Sequence, residues 1–261
     1  MNVKAVVKVM NFHALLRVES SKNLAQKYLA VADELENMMS IIANNKNLRN
    51  DKRIKNPNPN LPALKIYIGS DYGFCGSVNS SISSRIAQDD SSEKVIVGKK
   101  LKKGKVYKLY MTQEEFTENF KEVKKILQVA VREQKWSEIY ICYNHFFNLS
   151  KVGQVEKKIY PLEANENQGR KGEYTDFMIE GDVVELLQEL IISYLVYQVK
   201  IASASAYAAE NTMRQSATTE SLKKIDEMEE KELQQRRKEK NQKEFQKTID
   251  GCVKQKAFKG R

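Results

Sequence analysis

Between Gly181 and Gly251 the chain has neither glycine nor proline, so nothing in that stretch obliges a helix to stop. An unbroken helix over residues 182–250 would be about 100 Å long at 1.5 Å per residue, far more than one compact domain needs. Its first half carries apolar or small residues at Val183, Leu187, Leu190, Tyr194, Tyr197, Ile201, Ala204 and Ala208, in alternating steps of four and three. That spacing is the seam of a left-handed coiled coil. The seam turns polar at Asn211, Gln215 and Thr218 before Leu222 and Ile225 restore it. A helix with one apolar stripe requires a partner helix.

The other end of the chain supplies one. Residues 1–48 also lack glycine and proline, and Val3, Val7, Met10, Ala14, Arg17, Ser21, Leu24, Tyr28, Val31, Leu35, Met38 and Ile42 again step four and three. Only Arg17 and Ser21 interrupt the apolar series. This predicts a second helix of about 70 Å. The two ends are expected to form an intramolecular antiparallel coiled coil, with Leu24, Tyr28, Val31 and Leu35 meeting Tyr194, Tyr197, Ile201, Ala204 and Ala208. The competing arrangement packs each helix separately on a globular core, which a small core is too short to cover.

Between the helices the hydrophobic period changes. Residues 49–63 are rich in Asn, Lys and Pro and read as a linker. From Leu64 the period is two: Leu64, Ile66 and Ile68 form a strand, followed by the glycine turn Gly69–Gly76 and a helix around Val78–Ala87. Val95–Gly98, Val106–Met111 and Ile139–Tyr143 read as further strands, and Val155–Leu162 as an edge strand. Phe116, Phe120, Val123, Leu127 and Val131 mark one face of a helix. Strands alternating with helices over residues 64–162 predict a small α/β domain, Rossmann-like, with a mostly parallel sheet. Residues 163–181 read as a second linker, 182–250 as the long helix and 251–261 as a basic tail. The fold class expected is α/β: a long coiled coil of the terminal helices plus this small domain.

Chemistry is sparse. The glycine turn lacks the Lys-Ser/Thr of a phosphate loop, and its Gly69, Gly73 and Gly76 are not spaced as a dinucleotide fingerprint. A tight strand-to-helix turn, with Asp71 accepting backbone hydrogen bonds, accounts for it. His13 and His145 are far apart and the cysteines are not clustered, so no metal site or catalytic triad is expected. Cys75, Cys142 and Cys252 are odd in number and widely spaced, which fits a reducing compartment. No apolar run reaches the roughly 18 residues of a membrane span, and no signal peptide is legible, so a soluble, cytoplasmic chain is expected. The net charge of +10 admits nucleic acid, an anionic membrane surface or an acidic protein as partner. A basic coiled-coil nucleic-acid binder is the more distant alternative, although no aromatic platform interleaves with the charges of residues 227–244.

Three segments carry a resemblance to one family. Ile68–Asn79 (IGSDYGFCGSVN) resembles the Ser-Asp-Arg-Gly-Leu-Cys-Gly turn of the gamma subunits of F-type ATP synthases. Trp136–Phe146 is similar to that family's strand ending in Tyr-Asn-x-Phe. Tyr194–Ala217 resembles its helix reading Ser-Glu-x-Ala-Ala-Arg-Met-x-Ala-Met-x-x-Ala-Thr, with Ala208, Ala209, Met213, Ala217 and Thr218 in matching places. With the helix–α/β–helix order, the likeness covers nearly the whole chain.

The resemblance implies a non-catalytic rotor. The terminal helices would be a shaft inside a ring of three alpha and three beta subunits, and the α/β domain a foot near an epsilon subunit and a membrane c-ring or substitute. ATP, ADP and Mg would be bound by the partner subunits, with no cofactor on this chain. The complex would lie at the inner face of the cell membrane. Lys4, Lys8, Arg17, Arg236, Arg237 and Gln242 are the positions the resemblance assigns to contacts with the ring, and Ser70, Asp71, Gly73 and Gly76 those of the foot turn. Tyr72 stands where the family has Arg, and the N-terminal run and the C-terminal tip match only loosely. These departures raise an alternative: a gamma-like shaft of a specialised ATPase motor not used for proton-coupled ATP synthesis.

Overall fold

The computed structural model describes residues 3–43, 57–104, 106–162 and 181–259. Most of the two expected linkers, and the predicted end of the first helix near residue 48, lie outside these residues. Helix α1 spans Val3–Ala43. The foot then runs β1 Leu64–Ile68, α2 Val78–Gln88, β2 Glu93–Val97, β3 Leu109–Met111, α3 Gln113–Glu118, α4 Lys121–Arg132, β4 Ile139–Asn148 and β5 Lys151–Tyr160. Helix α5, Val183–Lys259, closes the chain.

Helices α1 and α5 lie side by side and antiparallel. At one end Lys4 reaches Asp226 at 2.7 Å; further along, Asn11 donates to Thr218 and Thr219 at 2.9 and 2.8 Å. Towards the foot the rings of Tyr28 and Tyr197 meet edge to face at 5.9 Å. The expected coiled coil is present. Its phase on α1 differs from the sequence reading. The inward residues are Val7, Ala14, Ser21, Tyr28, Leu35 and Ile42 as expected, but alternate with Asn11, Val18, Ala25, Ala32 and Met39. Each of these follows by one residue the position the apolar pattern selected. Leu24 (43% exposed) and Val31 (40% exposed) face solvent, while Ala32 is buried. Arg17 therefore does not interrupt the seam, because Val18 occupies it. The reason is steric: two close helix backbones leave room for Ala25 and Ala32, whereas choosing the larger apolar neighbour at each step favours Leu24 and Val31.

Helix α5 extends about 115 Å at 1.5 Å per residue. It passes through Gly251, which the sequence reading had made the start of a separate tail. One glycine costs a helix only about 1 kcal/mol, too little to end it without a competing turn.

The sheet order is β3-β2-β1-β4-β5. The first four strands are mutually parallel, and β5 returns antiparallel to β4 as the edge strand. The single helix expected over Phe116–Val131 is two. Thr112 and Glu115 cap α3 reciprocally, and Asn119 leaves helical angles at φ −118°, ψ 42°. Phe116, Val123, Leu127 and Val131 still share the buried face.

Each face of the sheet is covered differently. Leu64, Ile66, Ile68, Val95, Ile139 and Ile141 pack with α4 and with Leu187, Ile192, Leu195 and Val199 of α5, and α1 adds Ala32, Met39 and Ile42 to the same core. On the opposite face Tyr67, Ile96 and Cys142 lie beneath Ile82 and Ile86 of α2 and Leu101. Shaft and foot thus share one continuous core.

The seam phase is directly testable. Ala32→Trp should lower unfolding free energy by about 1–3 kcal/mol through overpacking, while Val31→Trp should change it by less than about 0.5 kcal/mol. Urea denaturation of the two variants distinguishes the phases, and the reverse ranking would restore the sequence-based seam.

Candidate functional site

The residues the sequence singled out in the foot turn converge with the middle of α5. Parallel strands β1, β2 and β3 end at the same edge of the sheet, and their following loops meet there. Asp71 accepts from Lys99 N at 2.7 Å and from Gln113 N at 2.9 Å, tying together the loops after β1, β2 and β3. This is the turn-ordering geometry expected of it. Ser70 is buried; its amide donates to Asn79 Oδ1 at 2.9 Å, and Asn79 Nδ2 donates to Ser70 Oγ at 2.7 Å. Gly98 has φ +123°, and a Cβ there would lie 2.8 Å from the Gly69 carbonyl carbon, so only glycine fits. Gly76, at φ +59°, would place a Cβ 2.9 Å from Met213 Cε of α5. Gly73 has no such steric demand; its carbonyl accepts from Arg214 Nη2 at 3.4 Å.

Against this turn α5 presents a buried charge pair. Glu210 and Arg214, one helical turn apart, are 1% and 6% exposed and joined carboxylate to guanidinium. Gln113 bridges the two halves, donating from Nε2 to Gly69 O at 2.7 Å and to Glu210 Oε2 at 3.3 Å. Arg214 Nη1 donates to Asn211 Oδ1 at 3.0 Å. Burial pushes the Glu210 carboxyl above the usual carboxylate range, and the charge of Arg214 and the hydrogen bonds from Arg214 and Gln113 only partly offset it.

A second clasp lies one to two turns along α5 towards its N-terminus. Ser205 Oγ accepts from Phe146 N at 3.1 Å and sits 2.9 Å from His145 Nδ1. Burial, with a smaller contribution from Lys157, holds His145 below its ordinary value. This is not a nucleophile–base pair: Ser205 is buried, its oxygen is occupied by the Phe146 amide, and no carboxylate orients the imidazole among the described residues. Lys157 donates to Gln198 Oε1 at 2.8 Å. Above them Lys200 Nζ lies 5.6, 5.3 and 5.3 Å from the ring centroids of Tyr28, Tyr197 and Phe120, linking α1, α5 and the foot through one ammonium.

The other expected positions are distributed along the shaft. Lys8, Arg17, Arg237 and Gln242 are exposed; Arg236 is exposed and lies 3.8 Å from Glu232. Lys4 is half-buried at the seam, and its partners Asp226 and Glu229 belong to α5 itself. Tyr194, Ala204 and Ala208 are buried, and Tyr197 and Ile201 half-buried. Among the described residues no three His, Cys, Asp or Glu side chains are placed to hold a metal. Cys75 and Cys142 are buried free thiols, and burial pushes Cys142 up to about 12. The arrangement clamps one body to another.

Sequence reasoning missed Glu210, Arg214, Gln113 and Lys200. The available signal was an opposite-charge pair four residues apart within an alanine-rich run, where a solvated salt bridge would be out of place.

Residues 1–247 match the family model described as ATP synthase. The ATP synthase gamma chain of Clostridium perfringens strain 13 is 27% identical over 241 residues, covering 87% of this chain and 83% of that one. That of Clostridium novyi is 26% identical over 246 residues, covering 87% and 85%. That of Mycoplasma mobile is 26% identical over 220 residues, covering 80% and 75%. In fold the chain is similar to a chain of the Tetrahymena thermophila mitochondrial ATP synthase central stalk and c-ring structure. The TM-score is 0.59 at 18% identity, covering 83% of this chain and 99% of that one.

Arg214→Met should cost about 3–5 kcal/mol, because it strands a buried carboxylate, whereas Glu210→Leu/Arg214→Met should recover most of that. In Arg214→Met the folded-state pKa of Glu210 rises further above its unfolded value. The penalty is therefore present above that raised pKa and is relieved as pH falls through it. Denaturant melts from about pH 8 down to about pH 5 should show the deficit shrinking; a deficit that stays constant or grows would reject the unpaired charge as its cause.

Proposed function

The chain belongs to the ATP synthase family, whose gamma chains it matches over most of its length, and from that footing we propose that it is the central-stalk rotor of a rotary ATPase. The observation that carries the reading is the clamped axle: two antiparallel helices with a small-residue seam, locked to a foot through buried polar contacts at Glu210, Arg214, Ser205 and Lys200. A solitary helix bends and twists readily; a paired one, sharing its core with a second body, moves with that body as a unit. Torque applied along α1 and α5 is thereby delivered to the foot.

In this proposal the chain catalyses nothing. Three alpha and three beta subunits surround the shaft and bind ATP, ADP and Mg, and the exposed Lys8, Arg17, Arg236, Arg237 and Gln242 face them. The foot meets an epsilon subunit and a membrane c-ring or a substitute for them, which places the chain at the inner face of the membrane. No helix among the described residues is long and apolar enough to cross a membrane.

One observation favours a second reading, a gamma-like shaft whose motor serves an output other than proton-coupled synthesis. Beyond the Lys4 partners Asp226 and Glu229 helix α5 continues for about 45 Å, and its last turns run beyond residue 247, where the family match ends. The tip is laced with its own ion pairs, such as Arg236–Glu232 and Lys240–Glu244, rather than with one apolar stripe.

Affinity purification of the tagged chain followed by native mass spectrometry tests both. The expected result is one copy of this chain with three copies each of two nucleotide-binding subunits. Recovery as a lone monomer counts against the rotor. An ion-channel ring in the same preparation supports coupled synthesis or pumping, and other attached apparatus supports the specialised motor.

A further inference from the structure

We infer that the loop between β2 and β3 is a docking surface for anionic lipid headgroups. Residues 99–108 hold six lysines and no arginine or acidic residue. The backbone of residues 99–104 is fixed. Lys99 N donates to Asp71 and Lys100 N to Ser70 O at 3.0 Å. Leu101 is buried between α2 and the sheet, and Gly104 lies against Ile86. Residues 99–104 therefore hold one shape while Lys99, Lys100, Lys102 and Lys103 project into solvent. None of these four has a carboxylate partner among the described residues, although Lys103 Nζ lies 4.0 Å from the centroid of Tyr110. On α5, by contrast, Lys224 and Lys240 have Glu220 and Glu244 one turn away. Lys108 pairs with Glu93 at 3.7 Å, and Lys99, Lys100, Lys102 and Lys103 form the uncompensated part of the patch.

Two further features select the partner. Val106 (65% exposed) and Tyr107 (43% exposed) stand among the lysines, and an aromatic ring with a polar tip beside ammonium groups suits the headgroup layer of a bilayer. Packed protein interfaces are enriched in arginine and depleted in lysine, the reverse of this loop, because a lysine ammonium is strongly hydrated and resists desolvation. Headgroups let it stay hydrated. Attraction of this kind is non-directional and its lipids exchange freely, so it draws the foot to a surface without fixing its angle about the membrane normal. A turning foot tolerates that. The inference stands on the loop alone and does not require the rotor reading.

Co-sedimentation of the full-length chain with vesicles tests it without any partner subunit, so its failure leaves the rotor proposal untouched. Binding is expected to vesicles of phosphatidylcholine mixed equally with phosphatidylglycerol, not to phosphatidylcholine alone, and to weaken steeply with salt. Each neutralised lysine should cost a factor of about five. Lys102→Gln/Lys103→Gln should then lose about thirtyfold, and the further addition of Lys99→Gln and Lys100→Gln several hundredfold, with unchanged thermal melting. Neutralising Lys238, Lys240, Lys243 and Lys247 on α5 should leave binding near that of the unaltered chain. Three results would overturn the inference: no preference for anionic vesicles, equal losses from the loop and α5 variants, or retention by duplex DNA or an acidic peptide while vesicles are ignored.

Discussion

The close approach of α1 to α5 is the constraint on which the other features depend. From Val184 to Thr218 the long helix is buried or half-buried at nearly every position, with α1 on one side and the foot on the other. A helix enclosed in that way has no polar face to spare, so its few polar residues must be satisfied inside the protein. Gln198, Ser205, Glu210, Asn211, Thr212, Arg214 and Thr218 are its buried polar residues, and each has a partner in the foot or on the helix itself. The enclosure also explains the alanines: Ala202, Ala204, Ala206, Ala208 and Ala209 let neighbours approach from more than one direction.

A buried ion pair is a poor means of adding stability, since desolvating both charges offsets most of their attraction. Its contribution here is registration. Apolar contacts between a helix and a sheet tolerate sliding by a turn with modest loss, whereas Glu210 finds Gln113, itself bonded to Gly69 O, and Arg214 finds Gly73 O in only one register. Apolar packing holds shaft and foot together, and polar bonds decide where along α5 the foot sits. Tyr72 and Phe74, 65% and 72% exposed beside this joint, are held outward by the same turn, with Phe74 in the left-handed region at φ 59°.

Charge is organised along the same axis. The exposed C-terminal part of α5 mixes acidic and basic residues at helical spacing, which supports a helix in water. The foot loop of residues 99–108 concentrates positive charge, with Lys108 alone paired, to Glu93, among its described lysines. A single value for net charge merges these two situations, one of which stabilises the chain's own helix while the other addresses a partner.

The sequence by itself determined the elements. Absence of glycine and proline gave two long helices, the change of period at Leu64 located the sheet, and heptad spacing required the helices to pair. It also assigned Asp71 to the turn, because a short carboxylate after a strand end has backbone amides within reach. Only the tertiary structure decided the phase of the α1 seam, the break at Asn119, the passage of α5 through Gly251 and the clamp at Glu210 and Arg214. Periodicity reports which residues are apolar, not how near the neighbouring backbone comes, so it cannot choose Ala32 over Val31. A charged pair four residues apart looks the same in sequence whether water or a folded domain lies beside it; its burial comes from the foot, whose Gln113 and Gly73 are 97 and 141 positions away from their partners in the pair.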